Sequence, residues 1–171
     1  DVVVAAQKSA MVYGLDPDNR GKTLWATKVG QGGALGGVEW GHASDNAAVY
    51  AAVSDLFRYS EGKKPGGIAA LHPLTGQLLW RTDAPELDCK DPRQPGCTGA
   101  QSAAVTVIPG VVFSGSIDGH FRAYDTKTGK IVWDFDTKRE FPTVNAVPGK
   151  GGSIDYGAAT VAGGRVYLNS G

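Results

Sequence analysis

Short apolar or alternating runs recur along the whole chain: VVVAA, AMVYGLD, KTLWATKV, GGVEWGHAS, AVYAAVS, GGIAALH, QLLWRTD, QSAAVTV, VVFSGS, HFRAYD and KIVWDFDT. Turns rich in glycine and aspartate separate them. No apolar stripe with a 3.6-residue period runs through the chain, so the pattern predicts an all-β fold built of short strands.

Three segments share one template: GLDPDNRGKTLW ending at Trp25, ALHPLTGQLLW ending at Trp80, and AYDTKTGKIVW ending at Trp133. The tryptophans stand 55 and 53 residues apart. Asp16, His72 or Asp125 opens each turn, and Gly21, Gly76 or Gly129 closes it; the first copy is one residue longer. Such a turn predicts a hairpin with a bulge and a left-handed glycine. The indole then faces off its strand, where a large ring fills the gap between stacked sheets.

Grouping the strands around this repeat gives units of four at a period near 50 residues, the mark of propeller blades. The predicted division is three strands of one blade in residues 1–30, a full blade in 33–84, another in 98–137, and the first two strands of a further blade in 153–171. A propeller closes with roughly four to eight blades. The chain therefore reads as a partial β-propeller of about three blades, a piece of a longer protein whose remaining blades cover its open faces. An all-β sandwich is the rival, but it gives no reason for the Trp spacing.

Composition narrows the function. Hydrophobic residues make up 42% and charged residues 20%, ordinary for a globular protein, while the 25 glycines fit many tight turns. Formal net charge is zero, with no basic stripe, so nucleic acid is not an expected partner. No stretch approaches the ~20 apolar residues of a membrane-spanning helix. The opening residues DVVVAAQKSAMVY lack the basic-then-apolar order of a secretory leader. Cys89 and Cys97 bracket the loop CKDPRQPGC; either a disulfide closes it, which would suit an extracytoplasmic home, or two free thiols sit in a surface loop.

With no further ligand near the cysteine pair, zinc is not predicted, and no CxxCH attaches a haem. His72 replaces the turn aspartate and reads as structural; His120 follows a DG turn and reads as exposed; His42 follows GGVEWG, and no two of the three have ligand spacing. GQGGALGG lies at a strand junction, not at a strand-to-helix turn, so it is no dinucleotide fingerprint.

At the Trp repeats the sequence resembles the pyrroloquinoline quinone (PQQ) dehydrogenases, whose blades carry A-x-D-x-x-T-G-x-x-x-W. QKSAMVYGLDPDNRGKTLW, GGALGGVEWG and GGSIDYGAATVAGGRVYLNSG are similar to the polyvinyl alcohol dehydrogenase branch of that quinoprotein family. The resemblance implies an eight-bladed quinoprotein-type propeller, with PQQ and calcium near the axis, an aspartate as base toward the alcohol, and a Lys or Arg at the quinone carbonyls. It places this chain in the later blades, with the catalytic aspartate and the calcium ligands upstream.

Residue by residue, it puts Lys8 at the quinone-contacting, catalytic position, although Ala10 stands where the family has Gly; the plain alternative for Lys8 is a solvated lysine. GGVEWG resembles an inner strand on which relatives carry Asn-Trp, so Glu39 and Trp40 line the cofactor cavity. Trp40 alternatively fills core between blades. Glu39 would bond the cofactor rim, meet a cation such as Lys8, or move a proton. Gln101 stands where many relatives put a cavity Trp, and its amide would bond the quinone edge or face axial water. Asp155 and Tyr156 line the same channel or serve as turn and packing residues.

The function so implied is oxidation of secondary alcohols such as polyvinyl alcohol, with electrons passed through PQQ to cytochrome c in a periplasmic or secreted protein. The alternative is a non-catalytic propeller of the outer-membrane assembly lipoprotein type, serving as a protein-interaction scaffold. These functional statements rest on resemblance, not on composition or spacing.

Overall fold

The computed structural model describes residues 1–56, 64–87 and 97–171. Strands β1 (Val3–Ala6), β2 (Met11–Asp16) and β3 (Lys22–Lys28) form a three-stranded antiparallel sheet. A four-stranded sheet follows, β4 (Ala43–Ser44), β5 (Val49–Ala52), β6 (Ile68–Leu71) and β7 (Leu78–Thr82), in that order. The next has β8 (Thr106–Ile108), β9 (Val111–Gly115), β10 (His120–Asp125) and β11 (Ile131–Asp136). Two hairpins complete the chain: β12 (Glu140–Phe141) with β13 (Gly149–Lys150), and β14 (Thr160–Ala162) with β15 (Arg165–Tyr167).

Stacking explains the strand sequences. Val49, Ala51 and Val53 enter one core cluster with Val12 and Trp25 of the first sheet. The intervening Ala48, Tyr50 and Ala52 enter another with Val112 and Tyr124 of the third sheet. A strand buried on both faces has no polar side, so β5 and β6 read as continuous apolar runs instead of alternating ones. A third cluster, around Phe113, Phe121 and Ile154, joins the third sheet to the segment leading to β14. At the inner edge β4 touches β8. Sheets stacked face to face with their first strands together are blades of a propeller, here part of one.

The repeat turn closes each hairpin in the same way. Gly21, Gly76 and Gly129 have φ of 73°, 68° and 70°, and each outer pairing carries a register shift, at Gly14/Leu15, Ala70/Leu71 and Ala123/Tyr124. The extra residue of the first copy is absorbed by a 3-10 turn, Pro17–Asn19, and by Arg20 in the left-handed region. Each of the first two motif tryptophans then latches onto the following blade. Trp25 Nε1 donates to Pro73 O at 3.0 Å, and Trp80 Nε1 donates to Thr126 O at 2.9 Å. Thr27 Oγ1 and Thr82 Oγ1 donate to Gly76 O and Gly129 O, both at 2.6 Å. Trp133 has Phe135 in place of the threonine and is 47% exposed, against 8% for Trp25.

Three features depart from the sequence reading. The inner segments are mostly irregular: only Ala43–Ser44 of GGVEWGHAS and Thr106–Ile108 beyond QSAAV pair as strand. The β12–β13 hairpin was not anticipated; Arg139 lies over the rings of Phe135 and Phe141 beside it, at 4.3 and 5.2 Å. His120 is half-buried instead of exposed, its Nδ1 2.6 Å from Asp134 Oδ1. Cys97 is disulfide-bonded, while Cys89 lies outside the described residues. Among the described residues no helix is long and apolar enough to cross a membrane.

Candidate functional site

One backbone bond recurs at every blade junction and sets the inner rim. Val38 N donates to Gln7 O at 3.1 Å, Gln101 N to Val53 O at 3.0 Å, and Ile154 N to Ser116 O at 3.1 Å. The acceptors all sit just after the second strand of a blade, so Val38, Gln101 and Ile154 occupy equivalent positions, and each is buried. The next residue in each copy is Glu39, Ser102 or Asp155, and the one after is Trp40, Ala103 or Tyr156. Three consecutive blades thus present a polar residue, then a larger or smaller apolar one, at the same place.

The paired positions meet across the rim. The Trp40 and Tyr156 rings lie 6.1 Å apart at 65°, edge to face, and are 58% and 59% exposed, so Trp40 does not fill core between blades. Ser102 Oγ donates to Asp155 Oδ1 at 2.5 Å. Glu39 is half-buried, and its Oε1 is a buried oxygen with no hydrogen-bond partner among the described residues. A buried polar atom left without a partner costs about 1–3 kcal/mol, so this oxygen calls for a donor. Three residues further along the chain, burial pushes the His42 imidazole below its ordinary pKa.

Lys8 projects from the tight turn Gln7–Ala10 of the first sheet. Ala10 N donates to Gln7 O at 2.9 Å, as Gly119 N does to Ser116 O at 3.0 Å in the third sheet. Ala10 has φ 64°, the left-handed conformation Gly119 also takes and one that glycine adopts without strain. The Lys8 ammonium is exposed and donates to Ala34 O at 3.2 Å; two of its three N–H donors remain for other acceptors. Lys8 and Glu39 are held on adjoining backbone segments by the Gln7–Val38 bond.

Gln101 has a different place from the one the sequence suggested. It is 1% exposed, its Oε1 accepts from Gly67 N at 2.9 Å, and its Nε2 donates to Ser114 Oγ at 2.7 Å. Both ends of the amide are taken by protein groups, so the rim residue of that blade is Ser102. The structure therefore brings Lys8, Glu39 and Trp40 to the rim, adds Ser102, Asp155 and Tyr156, and leaves Gln101 beneath it.

Sequence reasoning missed Asp55. It is 2% exposed with φ 48°, and its carboxylate accepts from Gln31 N at 2.6 Å, Gly32 N at 2.8 Å and Gly37 N at 2.8 Å. The loop GQGGALGG does cradle an anion, and that anion is the protein's own side chain. Aligning the connections after β5 and β9 would have flagged it, since Asp118 stands at the equivalent position. Among the described residues no group of three or more His, Cys, Asp or Glu could hold a metal ion.

A family model described as outer membrane protein assembly factor BamB, of the PQQ-repeat type, matches residues 8–171. The chain is 43% identical over 173 residues to a polyvinylalcohol dehydrogenase of Sphingopyxis sp. (strain 113P3), covering 100% of this chain and 26% of that protein. It is 30% identical over 104 residues to the quinohemoprotein alcohol dehydrogenase ADH-IIG of Pseudomonas putida, covering 61% of this chain and 13% of that one. Among solved structures, BamB from Moraxella catarrhalis superposes with a TM-score of 0.63 at 20% identity, over 99% of this chain and 44% of that chain, a likeness of fold. The chain spans about a quarter of the length of the first of these relatives.

Proposed function

The chain belongs to the PQQ-repeat propeller family described as outer membrane protein assembly factor BamB, and on that premise we propose that it forms part of the cofactor-bearing propeller of a quinoprotein alcohol dehydrogenase. Identity of 43% with a polyvinylalcohol dehydrogenase along the whole chain supports that reading over the scaffold alternative. The observation that carries it is the rim itself: a lysine with spare donors, a buried carboxyl oxygen with none to accept from, and an exposed indole, on neighbouring blades.

PQQ, when bound, would supply the two-electron acceptor for alcohol oxidation, and Lys8, Glu39 and Trp40 are the residues of this chain that would hold it. This chain's residues supply the surroundings. The Lys8 ammonium holds negative charge that grows on a carbonyl oxygen, an effect strongest where water is excluded. Glu39 Oε1 accepts from a ring N–H or a hydroxyl, which relieves its isolation. Trp40 offers a flat apolar face, steadied by Tyr156. Ser102 and Asp155 line the rim next to them.

In the same reading the catalytic aspartate and the calcium ligands belong to residues outside this chain. The substrate is a secondary alcohol such as polyvinyl alcohol, the acceptor is cytochrome c, and the protein is periplasmic or secreted. The disulfide at Cys97 supports an oxidising compartment.

Reconstitution of the full-length protein with PQQ and calcium tests this reading. Quinone uptake seen as visible absorbance, followed by alcohol-dependent reduction of cytochrome c, is the expected result. No uptake by a folded protein would overturn the enzyme reading in favour of a protein-binding scaffold. Turnover unchanged in Lys8→Ala would remove Lys8 from the site.

A further inference from the structure

The Lys8 side chain has one anchor among the described residues, the carbonyl of Ala34, and that carbonyl belongs to a loop with no regular structure of its own. What fixes the loop therefore fixes the ammonium. Residues 31–37 make two sets of contacts. Toward the first blade, Gly33 N donates to Lys8 O at 2.9 Å and Val38 N to Gln7 O at 3.1 Å. At Gly32 and Gly37 a side chain would collide with the backbone of Ser9 and Ala10, so the loop lies flush on the Lys8 turn. Toward the second blade, three amides converge on the two carboxylate oxygens of Asp55. Leu56 N adds a bond to Leu35 O at 2.9 Å, and Ser54 Oγ one to the same carbonyl at 3.2 Å.

A carboxylate suits this junction because it is acceptor-only. An Asn would set an NH2 group against at least one of the three amides, and a serine would lack the second oxygen. The equivalent Asp118 is used differently, pairing with Arg122 of its own sheet at 2.9 Å. Asp55 instead binds the loop that leads from the first blade into the second. It is 2% exposed and its carboxylate bonds to loop amides, so its influence on any bound ligand runs through the loop.

We propose that Asp55 is a positioning residue for Lys8, clasping loop 31–37 so that the Ala34 carbonyl holds the ammonium in place at the rim. The proposal rests on the quinoprotein reading only for the consequence of that placement; the clasp itself is independent of any ligand.

The test uses the full-length protein and two readouts. In the first, the reactivity of Lys8 toward an amine-specific acylating reagent is measured by peptide mass spectrometry, with Lys127 and Lys130 of a distant turn as internal references. Asp55→Asn should raise Lys8 labelling several-fold and leave the references unchanged, because a charge-assisted bond lost at the clasp is worth about tenfold in the held population. Unchanged Lys8 labelling, or equal increases at all three lysines, would overturn the proposal. If Asp55→Asn does not accumulate folded, Ser54→Ala removes one loop bond more gently; about twofold faster labelling is expected, and no change overturns the proposal.

The second readout is PQQ affinity by equilibrium dialysis in a cycle of Asp55→Asn, Lys8→Ala and the double variant. If Asp55 acts through Lys8, its substitution weakens binding in the wild-type background and adds nothing once Lys8 is alanine. Additive losses overturn the positioning role. A shift in Lys8 labelling with no PQQ binding by the wild type would keep the clasp and sink the quinoprotein reading instead.

Discussion

The Trp80 indole N–H donates to the carbonyl of Thr126 at 2.9 Å, and its ring lies against Gly129, where a Cβ would collide with it. One blade earlier Trp25 does the same with Pro73 and Gly76. The repeated spacing within the chain is thus a latch: the tryptophan of one blade is sized to the glycine turn of the next.

Removing the latch should cost stability in proportion to what is lost. Trp80→Phe keeps most of the apolar contact and gives up one hydrogen bond, about 1 kcal/mol. Gly129→Ala should cost more, about 2 kcal/mol or above, since it forces a left-handed residue to carry a side chain into the ring. Urea unfolding of the full-length protein measures both. A Gly129→Ala variant as stable as wild type would show that the turn does not bear on the indole.

The sequence announced this level of organisation because the repeat is local: the turn and the tryptophan lie within a dozen residues of one another. The inner rim was harder to read. Its positions are fixed by bonds between blades, such as Gln101 N to Val53 O, which leave no periodic trace. A slip of one residue therefore put Gln101 where Ser102 stands. A resemblance pointed to Glu39 and Trp40, whereas Asp55 stands out only when the connections after β5 and β9 are set side by side. Only the fold gathers three amides around it.

That slip carries its own prediction. Gln101→Leu leaves the Gly67 amide and the Ser114 hydroxyl without a buried partner, so stability should fall by about 1–3 kcal/mol. In the reconstituted full-length protein, PQQ affinity should stay within about twofold of wild type, because this amide is spent on the protein. Glu39→Gln should show the reverse: little change in the urea midpoint and a clear change in PQQ affinity.

The second turn is less firmly capped than the third. His72 Nδ1 accepts a single bond from Leu74 N at 3.2 Å, whereas Asp125 Oδ1 accepts from Lys127 N, Thr128 N and Thr128 Oγ1 at 3.0, 2.8 and 2.8 Å. The Thr128 hydroxyl, then its amide, hold the Asp125 carboxyl below its ordinary value. Thr75 waits at the matching place, so His72→Asp should stabilise the protein by about 0.5–1 kcal/mol, as capping side chains do. A depressed carboxyl contributes above its unfolded value near 3.8 and loses the contribution as pH falls through the folded value. The gain over His72→Asn, which has no titrating group at this position, should therefore be full at pH 7 and vanish in acid; a gain that persists in acid would have another origin.

The third sheet carries an ion network centred on a buried arginine. Arg122, 2% exposed, bonds Asp118 Oδ2 at 2.9 Å, Asp134 Oδ2 at 3.0 Å and Ser116 Oγ at 2.8 Å. Ser116 also donates to Asp118. Deleting Asp118 removes the buried counter-charge and leaves the guanidinium with only the more exposed Asp134, so Asp118→Ala should cost about 1–3 kcal/mol. Arg122→Met with Asp118→Ala should recover part of that loss, because the unpaired charge goes with the arginine. Urea midpoints of the two variants decide it: if the double variant is no more stable than the single, the penalty is not electrostatic.

Tyr124 gives an alkaline limit to stability. It is fully buried, and burial, partly opposed by the Arg122 charge and by the long 3.5 Å bond to Gln101, pushes its hydroxyl from 10.0 up to about 12. The folded protein thus keeps the neutral phenol over a range where the unfolded chain ionises. Stability from this source is fully present below pH 10 and is lost as pH rises from there through about 12. A rise of that size corresponds to about 2–3 kcal/mol. Tyr50 is raised in the same way, to about 12, so total stability alone would not isolate Tyr124. The difference between wild type and Tyr124→Phe does. Phe loses only a weak hydroxyl bond at neutral pH, and the gap between the two proteins should move by that amount in favour of Phe between pH 10 and about 12. A gap that stays constant across this range would mean the phenol ionises as readily in the folded protein as in the unfolded chain, which its burial forbids.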